Sequence, residues 1–432
     1  TVVRAAVPDA DSILQCDTSA TYLFVEDILT QNANPPAGFP LDGSVNGQKM
    51  VYGMNPTTVA NFREQILSGF TNSISTVSLV VDPKHLFDPS SGIYVNATGN
   101  GRAWERATMV EQISPTNRSN EFSIPAGLRI RGAYSRGAQY PKHSFRLFFR
   151  SVYGASKLTH PLFGDEGADE FQKIDFRTSQ NYSWANDKSS KFTLIEDVFA
   201  RDSQRALGQP YNRSRYYNLF INGTYWGVYQ TEERVANDYA SIYYGGSELD
   251  YDVVRTSQPG YTTDVVEGTV EAWETLWNMS VNQGYGSAYP DNYKKAMGLN
   301  PDGTRNLDYP ILVNPTNVIC YMLTAHFAGD RDSPASSSLA NNIAAFRNRV
   351  DGSGTIDGFV FNRHDAEHSL CQGEQNTTLY GTEAGPNGSN FRSQANFNPA
   401  ELNYRLLDNP EYKVLFMDLF YRHCLKEGGA MT

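Results

Sequence analysis

Three stretches of the sequence group side chains that can handle phosphate, protons or metal. The first is Arg129-Ile-Arg-Gly-Ala-Tyr-Ser-Arg136, followed by Pro141-Lys-His-Ser-Phe-Arg146. A Gly/Ser turn between two strands, with a lysine just after it, can aim backbone N–H groups and one cation at phosphate oxygens. A solvated basic hairpin has the same residues. The second is Gly329-Asp-Arg-Asp332, directly after a predicted helix, with Asn341-Asn342 nine to ten residues beyond Asp332. Two acids and an amide at that spacing suit a loop holding a base and a Mg²⁺ ligand. A plain Asp-rich turn also fits.

The third is Gly358-Phe-Val-Phe-Asn-Arg-His-Asp-Ala-Glu-His-Ser-Leu370. An apolar strand runs into His364, Asp365, Glu367 and His368, and four ionisable groups in five residues are hard to bury without a metal or a network. One reading is H-x-x-E-H, the inverted zincin motif, with His364 and His368 on zinc and Glu367 as general base. That motif needs a helix, whereas Phe359-Val-Phe361 reads as a strand, so no zinc site is expected. The other reading is an Asp at a strand end presenting its carboxylate to Mg²⁺.

These stretches need elements to position them. Val77–Asp82, Met109–Ile113, Leu128–Arg131, Ser144–Phe149 and Ile174–Arg177 read as strands, with Phe145, Leu147 and Phe149 alternating against polar residues. Tyr217–Ile221 and Tyr225–Thr231 flank Asn222-Gly223, a strong hairpin signal. Residues Arg129–Arg146 are expected to fold as a hairpin with Lys142 facing a cleft. Helices are predicted over Thr58–Phe70, with Val59, Phe62, Ile66 and Phe70 on one face, and over Thr193–Leu207, with Leu194, Val198 and Phe199 on one side. Val270, Trp273 and Trp277 keep helical spacing. Asn314 caps a further helix with Pro315 at its first position. A polar loop from Gln372 to Asn398 precedes two closing helices, Ala400–Leu407 and Pro410–Lys426. Strands first and helices after predict an α+β chain of two lobes. Asp332, Asn342 and Asp365 are expected to converge.

Composition bounds the function. The 432 residues carry 36 Lys and Arg against 47 Asp and Glu, a net charge of −11, with 40% hydrophobic residues. That balance is globular and excludes wholesale disorder. The acidic surplus argues against nucleic-acid partners, and no apolar run approaches the ~18 residues of a membrane span. Cys16, Cys320, Cys371 and Cys424 are too few for a disulfide scaffold and read as buried thiols. Eight Asn-x-Ser/Thr sequons, at Asn96, Asn117, Asn181, Asn212, Asn222, Asn278, Asn376 and Asn387, with many Tyr, Asn, Ser and Thr, resemble secreted and cell-surface composition. The opening on Thr1 suggests a piece of something longer.

The chain resembles the CotH kinase family, in its long bacterial surface form. The marks are Gly92-Ile-Tyr94, Trp104-Glu-Arg106, Gly127-Leu-Arg-Ile-Arg-Gly132 with Ser135-Arg136, Lys142-His-Ser-Phe-Arg-Leu147 and Pro161-Leu-Phe-Gly164. They continue with Phe220-Ile-Asn-Gly-Thr-Tyr-Trp-Gly-Val-Tyr229, Glu233-Arg234, the Asp330/Asp332 loop, Asn341-Asn342, Asp365-Ala-Glu-His-Ser-Leu370 and Gly428-Gly-Ala-Met-Thr432.

The resemblance implies an atypical protein-kinase-like, two-lobed fold that transfers the ATP γ-phosphate to Ser/Thr of extracytoplasmic or surface proteins with Mg²⁺ or Mn²⁺. It divides the chain into an N-terminal accessory segment (1–75), a kinase-like domain (76–371) and a polar loop with a C-terminal helical tail packed on that domain (372–432), inside a larger multidomain protein. Carried over by residue, Lys142 and Arg136 contact the nucleotide, Glu233 pairs with a basic residue beside it, and Asp332 is the base. Asn342 or Asn341 is the loop amide, and Asp365 binds metal. Two departures stand out. Many members carry Asn where this chain has Asp330, and compact members carry Asp-x-Asp where it has Arg363-His364-Asp365. The extra cation either weakens metal binding or replaces a missing charge. A degenerate member acting as a structural or adhesive surface module is the alternative function.

Overall fold

Alternation of apolar and polar residues in the first half builds a closed barrel. A computed structural model of the chain describes residues 1–5, 18–178, 180, 183, 186, 193–257, 260–334, 341–370 and 393–432. Within them the chain forms two compact units, one of residues 1–192 and 213–234, the other of residues 193–212 and 235–432. The barrel of the first unit has seven strands: β1 (Thr76–Val80), β2 (Arg106–Ile113), β3 (Phe122–Arg131), β4 (Ser144–Phe148), β5 (Lys173–Arg177), β6 (Tyr216–Ile221) and β7 (Thr224–Glu232). Their order is β6-β7-β5-β4-β3-β2-β1, and a parallel pairing of β1 with β6 closes it.

The register sorts the side chains. Ile130 faces Phe145, which faces Phe176, and Leu128 faces Leu147, which faces Ile174; all six are buried in the barrel core. With a side-chain period of two, the residues between them must point away from that core. They form a row across four strands: Arg129 opposite Arg146, Arg146 opposite Asp175, Asp175 opposite Glu232. The hairpin predicted over residues 129–146 is present as β3 and β4. The β6–β7 turn sits at Asn222-Gly223, both with positive φ, and Asn222 Oδ1 accepts from the Val81 amide at 2.9 Å.

The second unit holds a four-stranded antiparallel sheet in the order β9-β8-β10-β11, made of β8 (Tyr251–Ser257), β9 (Thr262–Glu267), β10 (Ala344–Asn348) and β11 (Val360–Phe361). Only β11 was legible as a strand. Residues Ala344-Ala-Phe-Arg-Asn348 are buried at every position, so no alternation marks them. The second half is thus a mixed unit, not the mainly helical one expected. Its central helix, Pro315–Ala328, is capped by Asn314, whose side chain accepts from the Asn317 amide, and ends at left-handed Gly329. Helices Glu196–Ala206, Pro399–Leu406 and Pro410–Phe420 pack on it.

The helix at Pro56–Ser68 kinks at Phe62, which is 51% exposed. Of the predicted stripe only Phe70 is fully buried, against Phe220. Phe70 joins the first unit's packing, and the two closing helices share the core of the second unit with Pro315–Ala328. Cys320 and Cys424 are free, and burial pushes the Cys320 thiol up to about 12. Cys16, Cys371, the sequons at Asn181, Asn376 and Asn387, and loop residues 372–392 lie outside the described residues. No helix among the described residues is long and apolar enough to cross a membrane.

Candidate active site

In the second unit, two helices hold the end of β11. Asn317, from Pro315–Ala328, accepts from the Phe361 amide at 2.7 Å and donates to its carbonyl at 3.3 Å. Gln204, from Glu196–Ala206, donates to the Phe361 carbonyl and accepts from the Arg363 amide, both at 2.6 Å. Beyond that clamp the chain turns sharply. Asp365 has φ +56, a left-handed conformation that costs of order 1 kcal/mol or more for a non-glycine residue. The turn is pinned from three sides. Asp197 Oδ1 accepts from the Ala366 amide at 3.0 Å, the His368 carbonyl accepts from the Arg331 amide at 3.2 Å, and the Ala328 carbonyl accepts from the Leu370 amide at 2.9 Å.

The loop after Gly329 meets this turn. Asn342, itself left-handed at φ +52, sends one amide group to three acceptors: its Nδ2 lies 3.1 Å from Asp332 Oδ2, 3.2 Å from the Asp332 carbonyl and 3.2 Å from the Asp365 carbonyl. The Asn342 amide thus links the Asp332 side chain to the Asp365 backbone carbonyl. Burial raises the Asp332 pKa, and the charges of Asp365 and Asp330 add to that, while His368 and a hydrogen bond from Asn341 pull it back. Asp330 lies behind Asp332, fully buried, with Oδ1 accepting from the Asp332 amide at 3.0 Å and Oδ2 paired to buried Arg363.

Carboxylates and an amide are donor types that suit a hard divalent cation. Among the described residues no group of three or more His, Cys, Asp or Glu can hold a metal alone. Residues 362–366 are loop, so His364 and His368 do not share a helical face.

In the first unit, Lys142 has two local contacts and a lowered pKa. Its ammonium donates to the Val51 carbonyl at 2.7 Å and stands 3.9 Å from the centroid of the Trp226 ring, and burial pushes its pKa down to about 7. Arg136 donates to Asn100 Oδ1 at 2.5 Å and lies on a cavity that it shares with Arg129, Arg131 and Arg146. Glu233 Oε2 accepts from the Arg213 amide at 2.8 Å and its guanidinium at 3.2 Å, so its basic partner is Arg213.

Sequence reading missed Asp197, Gln204 and Asn317, which position the turn. On the helix Glu196–Ala206 the buried residues are Glu196, Asp197, Ala200, Arg201 and Gln204. Their spacing of one, three and four residues was visible, but a search for apolar stripes favours Val198 and Phe199, which are only half-buried.

A scan against protein families matches residues 128–426 to CotH kinase protein. A search of curated proteins finds no significant match. The family match spans the arginine-bearing strands, the Asp330–Asp332 loop and the Asp365 turn, and the chain belongs to the CotH kinase family.

Proposed function

We propose that this kinase-like protein is an ATP-dependent phosphotransferase that moves the γ-phosphate to Ser or Thr of an extracytoplasmic or surface protein, with a two-lobed kinase-like arrangement and with Mg²⁺ or Mn²⁺ as metal. The observation that carries the reading is the Asn342 amide, which draws Asp332 and Asp365 together in a chain of this family. Phosphoryl transfer asks a protein mainly for positioning and charge stabilisation. When bound, the metal supplies charge neutralisation on the phosphates. Asp365 and the Asn342 amide oxygen hold it, and the left-handed turn fixes where the carboxylate stands. Asp332 takes the proton of the acceptor hydroxyl. Its raised pKa brings it nearer to working pH, which favours a general base. Arg136 and Glu233 belong to the nucleotide side of the reading.

The test is transfer from labelled ATP with Mn²⁺, comparing the protein with Asp365→Asn and Asp332→Asn. Loss of transfer in both, with nucleotide binding kept by Asp332→Asn, supports the assigned roles. Equal labelling of all three, or none of any while nucleotide fails to raise the melting temperature, would favour a catalytically silent surface module.

A further inference from the structure

The closing helix of the second unit is apolar on two faces, and its own chain covers one of them. Pro410–Phe420 runs without a break into the wider turns of Tyr421–Leu425, since Phe420 and Tyr421 both keep helical φ and ψ. Inward, Tyr412 and Leu419 are buried, and Leu415, Phe416, Phe420 and Cys424 pack on the core. Outward, Val414, Met417, Tyr421 and Leu425 are 71%, 60%, 57% and 60% exposed. Their spacing of three, four and four residues sets them in one stripe along the axis. The two segments, 11 and 5 residues long, together span about 24 Å. A helix that is apolar all round is ordinarily buried, and four large apolar side chains in one row mark an interaction surface.

The charges beside the stripe say what covers it. On one side the exposed residues run Glu411, Asp418, Arg422 and then Lys426 at the helix end: acid, acid, base, base. On the other side stands Lys413, and Glu427 follows the last turn, both exposed. Two copies laid antiparallel about a two-fold axis between Leu419 and Phe420 match all of these at once. Val414 faces the partner's Leu425, and Met417 the partner's Tyr421. Glu411 falls opposite the partner's Lys426, Asp418 opposite the partner's Arg422, and Lys413 opposite the partner's Glu427. Each match holds to within two residues, about 3 Å along the axis, which long side chains span. A two-fold contact of this kind sets each side of the stripe against the same side of the copy. Parallel pairing would instead put Glu411 against Glu411 and Arg422 against Arg422. Within one chain Asp418 and Arg422 already pair at 2.8 Å, both more than half exposed, and Glu411 pairs with Lys294. The antiparallel contact turns the first of these pairs into a group of two acids and two bases.

We propose that this helix is a self-association surface whose occupant is a second copy of the chain, docked antiparallel along Val414, Met417, Tyr421 and Leu425. Burial of the stripe drives the contact, and the flanking charges select the orientation and the register. A contact along one helix lies at the small end of specific interfaces, so the dimer forms reversibly with concentration. The proposal stands apart from the phosphotransferase reading and uses none of its residues.

The experiment is sedimentation velocity of the whole chain over a wide concentration range, with the parent, Met417→Glu, Asp418→Arg, Arg422→Asp and the double reversal Asp418→Arg with Arg422→Asp. All three positions are exposed, so melting temperatures should stay close to the parent's. The expected result is a monomer–dimer equilibrium in the parent that Met417→Glu abolishes. Each single reversal should weaken it at least tenfold, because it sets like charges opposite each other twice per dimer. An equimolar mixture of the two single reversals should associate again, as should the double reversal, since both restore acid opposite base. A parent that stays monomeric, a dimer indifferent to Met417→Glu, or a mixture no better than its components would overturn the proposal. So would a monomeric parent that binds phosphatidylcholine–phosphatidylglycerol vesicles through the stripe, which would assign it to a lipid surface.

Discussion

Arg363 and Asp330, 33 residues apart in sequence, are each other's partner. Both side chains are fully buried, and the guanidinium of Arg363 is paired with Asp330 Oδ2 and lies 4.9 Å from the centroid of the Tyr321 ring. Burial opposes charge on Arg363, but Tyr321 and Asp330 outweigh it and hold its pKa above the usual value. The cation beside Asp365 in sequence is therefore committed to the loop behind Asp332. It replaces a charge where it stands, tying the strand end to the acid-bearing loop.

That pair predicts strong non-additivity. Removing one partner of a buried ion pair strands the other and typically costs 3–5 kcal/mol, whereas replacing both is often close to neutral. Arg363→Met and Asp330→Asn should each destabilise by about that much, and the double variant should recover most of the loss. Urea denaturation of the four proteins measures the coupling. Additive losses would mean that the pair does not act as a unit.

Asn342→Asp should be worse for transfer than Asn342→Ala. The substitution replaces a donor that serves Asp332 and the Asp365 carbonyl with a third negative charge at the same place. The expected signature is a further rise of the Asp332 pKa, seen as an alkaline shift of the acid limb of the transfer profile. Added Mn²⁺ should reduce that shift by supplying the opposing charge.

Acid should weaken the first unit through His143. Burial pushes this imidazole down to about 4, with its ring nitrogens 3.1 Å from the Ser135 carbonyl and 3.0 Å from Gln48 Oε1. The unfolded chain takes up a proton near pH 6.5 and the folded one only near 4. Between those values the unfolded state binds more protons, so stability falls as pH falls. The slope from one such group is at most about 1.4 kcal/mol per pH unit. Melting of the protein and of His143→Gln from pH 7 to 4 should show a shallower decline in the variant.

Gly132→Ala should destabilise the β3–β4 turn by about 1–3 kcal/mol, the cost of a non-glycine residue at φ +118. Ser135→Ala in the same chain should recover the steric part, since Ser135 Oγ is the atom that a Cβ would strike, and leave the part due to φ. Thermal melts of the single and double variants separate the two.

The sequence by itself determined the barrel strands, the Asn222-Gly223 hairpin and the capped helix after Asn314. Each rests on local chemistry: alternation, a turn dipeptide, a side chain that accepts an amide three residues on. It also singled out Asp332, Asn342 and Asp365 as candidates, because each sits in a short polar string after an apolar element. Tertiary structure alone decided the rest. That the Lys142 ammonium stands over an indole depends on Trp226, 84 positions away. Whether Arg363 harmed or helped depended on Asp330, which lies 33 residues upstream. The positions of Asp197 and Gln204 on a buried polar face carried no hydrophobic signal. Partners of charged side chains are set by which elements pack together, and the energy of a charge depends on burial and on those partners. Neither quantity is local.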